Sequence, residues 1–454
     1  MGSGAKLNQS KSKGLWPSSW SGRDDPPVPL DWTFDKIKVI GVFIGPGDLE
    51  EANWRPRIDA VDNVLSSWRQ RFLSYGGRAL VINALALSRV WYVASLIHVP
   101  SWVFSELLKL IFSFFWKGKR DLVSHTVVLQ PPSAGGFSVV DLRLKVAALL
   151  VQWVRRFAVS PCSWVSFLSF WCSSRFCASV LHVLSRPDAF SPKSFPPFYC
   201  ALLSAWRLVD GSFSRRSSLV IASLSPHHVT PVSSISCKST YLFLLFEDRP
   251  TPHCVDKFFP QFGTLYWPST WSQLFFFEQD CPVIDLNWKV AHGVLYTPDR
   301  LIGFGYSVDP SCFCSSAPEC PSHLFFSCPL AQSVLSWLQS LLFMFSSSSP
   351  SLVCRHVLFG FSPDEIRRVP RIFVYMLGVY KYFIWLARND YRFRNVHPGA
   401  LKVVAKVRSR VKFHLPLLFK RFKSPRRLRY FHRQWGASGV IGSVRNGPFY
   451  LAGF

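Results

Sequence analysis

Acidic side chains are scarce in this sequence. Only 26 Asp and Glu stand against 52 Lys and Arg, which leaves a formal charge of +26. Charged residues of both signs make up only 17% of the chain, while aromatics make up 16%. A large positive surplus carried by few charges points to a polyanionic partner, nucleic acid first and an anionic membrane surface second. Cysteine is also thin. Twelve cysteines in 454 residues, irregularly spaced outside one cluster, exclude a disulfide scaffold. The polar opening MGSGAKLNQSKSKG has no apolar core of the secretory type. Reduced thiols in the cytoplasm or nucleus are therefore the expectation. An uninterrupted membrane-length apolar run is missing too. The nearest approach, Trp164 to Leu184, has Arg175 near its middle. A centred arginine costs about 2.5–3.5 kcal/mol on insertion scales, so a buried aromatic helix is expected there rather than a span.

The length suits two to four domains, about 100–200 residues each. The segment IKVIGVFIG (37–45) is β-branched and bounded by glycine, which predicts a strand. From Arg57 the period changes: Ile58, Val61, Leu65, Trp68 and Phe72 recur at helical spacing, with Arg57, Arg69 and Arg71 off that stripe. Tyr75-Gly76-Gly77 breaks the chain, and RALVINALALSRVWYVASLI reads as a second, more buried helix ending at Pro100. Ser101 is a candidate N-cap for a third helix with Val103, Leu107, Leu110 and Phe114 on one face. Farther on, Asp141 is placed to cap a helix ending in Arg155-Arg156. Residues from about 160 to 280 show no clean period. Ser346–Ser349 reads as a linker, and the remainder is again helical in pattern. Lys402, Lys406 and Arg410 fall on one face at i, i+4 and i+8. Between Lys381 and Arg445 stand seventeen Lys or Arg and a single acid, Asp390. No internal repeat is present. The fold class expected is mainly α, with a few strands near the N-terminus.

The richest chemistry lies in CFCSSAPECPSHLFFSC, residues 312–328, with four cysteines and one histidine in seventeen residues. Zinc prefers four thiolate and imidazole ligands in tetrahedral geometry, brought together as two short-spaced pairs. The pairs here are Cys312 with Cys314 and His323 with Cys328. His323 and Cys328 are spaced to face one side of a helical turn. The Cys-x-Cys corner is tighter than usual, so Cys320 is an alternative to Cys314. A catalytic zinc would need an open position and a base, and Glu319 is the only carboxylate inside the cluster.

Several stretches together resemble the C-terminal part of a LINE-type, non-LTR retrotransposon reverse transcriptase. SGAKLNQSKSKGLW is similar to the end of the polymerase palm, and IKVIGVFIG to the strand that follows. NWRPRIDAVDNVLSSWRQRFLSYGGRALVINALALSRVWYVASLIHVP resembles the thumb, and GGFSVVDLRLKVAALLVQWVRR the segment beyond it. HGVLYTPDRL with the 312–328 cluster resembles the zinc-binding domain of these proteins. WLARNDYRFRN and the basic tail resemble their extreme C-terminus. The resemblance implies a palm remnant (1–50), a helical thumb-like domain (51–160) and an aromatic, Ser-rich connection (161–280). A zinc-binding domain (281–345) and a basic helical region (346–454) follow. It further implies Cys312, Cys314, His323 and Cys328 as zinc ligands, with Cys320 in a non-ligand position.

The implied partner is nucleic acid, an RNA template or an RNA–DNA duplex, with no small-molecule substrate. The thumb would contact it through Arg69, Arg71, Arg78 and Lys117. The tail would grip phosphates with Lys402, Lys406, Arg408, Arg410 and Arg426, and Trp385, Tyr391 and Tyr430 are candidates for base stacking. The family's catalytic Tyr-x-Asp-Asp motif is expected ahead of Ser3 and does not occur within the 454 residues. The single Asp-Asp, Asp24-Asp25 in GRDDPP, reads as a solvated turn. Without paired aspartates to hold two metal ions, this chain is not expected to polymerise DNA, and no catalytic residue is assigned. Two other readings are a metal-dependent nuclease around Asp364 and Asp390 with Lys402, and a poorly folding relic of a truncated element.

Overall fold

The computed structural model describes residues 8, 12–16, 20, 25–159, 164–185, 189–191, 193, 195–209, 211–213, 220–225, 228–247, 251–276, 279–444 and 449–453. It is mainly α, as expected, and divides into two compact units. The first comprises 1–73, 77–120 and 139–249; the second comprises 74–76, 121–138 and 250–454.

In the first unit, β1 (Lys13–Leu15) pairs in parallel with β2 (Asp31–Thr33). Most of the palm-like SGAKLNQSKSKGLW, and Asp24, lie outside the described residues. The segment expected to be one strand is a hairpin, β3 (Ile37–Val39) and β4 (Val42–Ile44), paired antiparallel. Ile40 at φ 47° and Gly41 at φ 82° form its two-residue turn. Positive φ at both central positions matches the strand twist, and glycine supplies the second at no steric cost.

Helix α1 (Glu50–Arg69) buries Ile58, Val61 and Leu65 as the period predicts, and Trp54 with them. The stripe does not reach Phe72, because the helix stops at Arg69 and Phe72 is fully exposed, at 102%. The single helix expected over 78–97 is broken instead. It runs as α2 (Tyr75–Leu80), a π turn at Val81–Ala86, a 3₁₀ turn at Leu87–Arg89 and α3 (Trp91–Ala94). Helix α4 (Ser101–Phe115) packs on α1 and buries Val103, Leu107 and Phe114 as expected, with Phe104, Ile111, Phe112 and Phe115, while Leu110 is only half-buried. Its N-cap is Pro100 rather than Ser101, with no side-chain cap.

Helix α5 (His125–Leu129) belongs to the second unit. Helix α6 (Leu142–Val159) is capped as its sequence predicts, Asp141 Oδ1 accepting the Leu144 N–H at 3.0 Å. The apolar stretch at 164–184 breaks at Cys177–Ser179 into α7 (Trp164–Phe176) and α8 (Val180–Ser185). Among the described residues, no helix is long and apolar enough to cross a membrane. Helix α9 (Pro197–Arg207), an antiparallel meander of β5 (Gly211–Phe213), β6 (Val220–Ser225) and β7 (His228–Pro231), and α10 (Cys237–Glu247) complete the unit. Helices α9 and α10 pack against α6.

The second unit continues with α11 (Cys254–Phe262), α12 (Trp267–Leu274), α13 (Cys281–Ala291) and α14 (Pro298–Gly303). The cysteine cluster and a π turn at His323–Ser327 lead into α15 (Pro329–Phe345) and α16 (Cys354–Phe359). Helix α17 (Arg371–Arg394) is the spine. Its Ile372, Met376, Val379, Tyr380 and Ile384 are buried, and it packs against α13, α15 and α18 (Ala400–Phe419). Helix α18 buries Val403, Val407, Val411, Leu415 and Leu418, a repeat of three and four residues that leaves its basic positions off the core. Helix α19 (Pro425–Gln434) and a hairpin of β8 (Gly442–Val444) and β9 (Phe449–Leu451) close the chain.

Candidate metal centre and basic surfaces

The cysteine cluster is built by a tight turn and a π turn. Ser315 at φ 58° folds the chain back, its N–H donating to Cys312 O at 2.9 Å, and Cys312 N–H reaches Ala317 O at 3.1 Å. This closes the narrow Cys-x-Cys corner without moving the ligands apart. On the other side, Cys328 N–H donates to His323 O at 2.8 Å, an i→i+5 bond. A five-residue spacing would splay two side chains on an α-helix; the wider π turn brings His323 and Cys328 to one side. The donor atoms of Cys312, Cys314, His323 and Cys328 all lie within 4.8 Å of one another. Cys314 Sγ is 3.2 Å from His323 Nε2.

Cys320 stands outside this set, its Sγ accepting the His323 backbone N–H at 3.4 Å. Three thiols and one imidazole, with Cys312 and Cys328 buried, fit the tetrahedral, closed donor set of structural zinc. Zinc would be held by these four side chains and would supply a crosslink between the two turns.

Glu319 is not placed to act as a base. It is 1% exposed, and Arg388 on α17 grips Oε1 through Nε and Nη2, both at 2.8 Å. Arg392, one turn on, lies 3.6 Å from Glu319 Oε2, 3.4 Å from Asp309, and donates to Ser311 O. Tyr380, two turns before Arg388, donates to Phe325 O at 2.9 Å. The turns that carry the metal donors are therefore seated on α17 by three side chains spaced along one face. The ARNDYR text of 387–392 held this signal, because an arginine in an apolar helix needs a buried acid.

The thumb-like cations gather around one shallow depression in the first unit. Arg69, Arg71, Arg78 and Lys117 line it with Trp68, Leu73 and Phe114. Arg71 lies 4.5 Å from the Trp68 ring, and Lys117 lies 5.5 Å from the Phe72 ring. Arg78 donates to Phe115 O at 2.6 Å and Leu73 O at 3.2 Å, so it also ties the end of α1 to α4. Desolvation, then the neighbouring charges of Arg78 and Lys119, pushes the Lys117 ammonium below its ordinary range.

The tail cations divide. Lys402, Lys406 and Arg426 are exposed. Arg410 lies 3.1 Å from Asp280, and Arg408 lies over the Trp337 ring at 5.4 Å. Of the aromatic candidates, Trp385 lies under Arg388 at 4.9 Å and Tyr391 meets Phe313 edge-on at 6.0 Å. Tyr430 remains 39% exposed. The carboxylates read as nuclease candidates pair with local cations, Asp364 with Arg367 and Asp390 with Arg394.

Residues 236–335 match the family described as zinc-binding in reverse transcriptase, and the match contains all four clustered donors. Its start falls inside the stretch where the sequence shows no clean period. Over 224 residues, 46% of the chain, the sequence is 28% identical to an uncharacterized 149 kDa protein of transposon TX1 from Xenopus laevis. The matching part spans 17% of that relative's length. Together these findings support a reverse-transcriptase-related region from the C-terminal side of a non-LTR retrotransposon protein, carrying a zinc-binding domain.

Proposed function

We propose that this chain is a non-catalytic nucleic-acid-binding region in which zinc is structural. The observation that carries this reading is the clustering of Arg69, Arg71, Arg78 and Lys117 around one depression with no acid among its described lining residues, so that their positive potentials add at the surface. The exposed Lys402, Lys406 and Arg426 offer further phosphate contacts. Polymerisation is not assigned, because no paired aspartate of the Tyr-x-Asp-Asp type occurs within the 454 residues.

The test is fluorescence anisotropy with labelled RNA and RNA–DNA duplex across a salt series. Triple replacement of Arg69, Arg71 and Lys117 by Gln should flatten the log–log salt dependence by about 0.9 per lost duplex phosphate contact, or about 2.7 in all. The same holds for Lys402, Lys406 and Arg426. Binding that ignores salt and both triple variants would defeat the reading. In primer extension with Mg or Mn, the chain should incorporate no nucleotide.

A further inference from the structure

The second unit contains a cleft of about 560 Å³, separate from the metal centre, between the 122–124 loop, α11 and α14. A volume of this order accommodates one nucleotide-sized ligand. Its lining cations are Lys257 and Arg300, and none of its described lining residues is acidic. The exposed Asp256 and Asp299 flank it on the same helices.

Arg300 is pre-set for an oxyanion. Its guanidinium carbon lies 5.3 Å from the Tyr296 ring and 5.1 Å from the Phe304 ring. Rings that hold the plane of the fork lower the entropy lost when its N–H edge meets a phosphate two-pronged. Lys257 is set by backbone. The residue is exposed as a whole, but Nζ donates to Gly293 O at 2.8 Å. A Cβ at Gly293, where φ is 63°, would fall 2.9 Å from Nζ, so glycine is what admits the ammonium there. Burial of the head and then the charge of Arg300 push Lys257 below its ordinary range, with Asp299 opposing. Two like charges are thus brought together in a concave site. Phe304, 44% exposed, lines the cleft beside Arg300, an aromatic surface against which a base can pack.

From this arrangement, the geometry points to a site for one unpaired nucleotide, its phosphate held by Lys257 and Arg300 and its base against Phe304. The inference rests on the nucleic-acid reading above and assigns that reading a particular pocket. The nucleotide can belong to a strand or be free.

The experiment compares the full chain with Lys257→Gln/Arg300→Gln, using a labelled single-stranded RNA and, separately, a nucleoside monophosphate in equilibrium dialysis. Zinc content and the unfolding midpoint serve as folding controls. Strand affinity should fall about tenfold and the salt slope by about 1.4, at about 0.7 per single-strand phosphate. Loss confined to the monophosphate would identify a free-nucleotide site of the same chemistry. Unchanged affinity for both ligands would overturn the inference. If the wild type binds no RNA, the broader proposal fails, and the cleft is then judged by the monophosphate alone. Should the double variant not fold, thiouridine-substituted RNA crosslinked to the wild type decides. Adducts between Tyr296 and Phe304 are expected, and adducts only elsewhere would overturn it.

Discussion

Cys314 and Cys320 are six residues apart, and composition alone gives either an equal claim on the metal. Geometry separates them, because the thiol of Cys314 faces His323 while that of Cys320 is occupied by a backbone N–H. Cys314→Ser should therefore lose most of the bound zinc, measured by elemental analysis of the purified chain, whereas Cys320→Ser should keep about one equivalent. The opposite result would exchange their roles. A second titratable residue was invisible in the sequence. His292 is buried, its Nε2 2.9 Å from Gly135 O and its ring stacked on Trp271, and burial pushes it down to about 4. The unfolded chain takes up this proton near 6.5, whereas the folded chain does not until about 4. Its contribution to stability is complete above pH 6.5 and declines as pH falls toward 4. Thermal midpoints across that window should drop for the wild type. They should drop less steeply for His292→Asn, although that variant is less stable throughout.

The elements that the sequence made legible are those whose period meets no interruption. Helices α1, α4, α6, α17 and α18 follow their apolar spacing, and Asp141 caps α6 because a side-chain oxygen there meets an otherwise unpaired N–H. The segment over 78–97 was not legible. Its apolar residues are nearly continuous, so nothing in the pattern marks where α-helix gives way to π and 3₁₀ turns. Phe72 was misplaced because period alone does not announce that a helix ends at Arg69. The contact of α17 with the metal turns was half legible: an arginine in an apolar helix asks for an acid, but the sequence does not point to Glu319, 69 residues away, as that acid.

That contact supports a prediction of its own. Removing one partner of a buried pair leaves an uncompensated charge and typically costs about 3–5 kcal/mol. Arg392 stays 3.6 Å from the same carboxylate, so Arg388→Met should fall at the lower end of that range in denaturant unfolding. Adding Glu319→Gln should recover part of the loss. If Arg388→Met unfolds like the wild type, the pair contributes nothing.

For the whole molecule, the charge surplus was readable at once, but its distribution was not. Along α18, Lys402 and Lys406 reach solvent while Arg410 turns to Asp280, a distinction that helical spacing cannot draw. The four metal donors were legible as residue types, yet the region that supports them extends well past the zinc-family match, into 380–392. Zinc removal should therefore be felt beyond the cysteines. With a strong chelator present, limited proteolysis should cut first within 305–330 and then along α17, while the first unit resists longer. Simultaneous cutting throughout the chain would speak against this order.

The seating of the metal turns on α17 also sets a schedule for synthesis. The last donor, Cys328, leaves the ribosome well before Arg388 and Arg392. At roughly 5–20 residues per second, the interval is on the order of several seconds. During it the nascent chain holds all four metal donors but neither of the arginines that neutralise Glu319. A carboxylate destined for burial must wait in water until α17 arrives, so the centre is completed late, by a helix made after every one of its ligands.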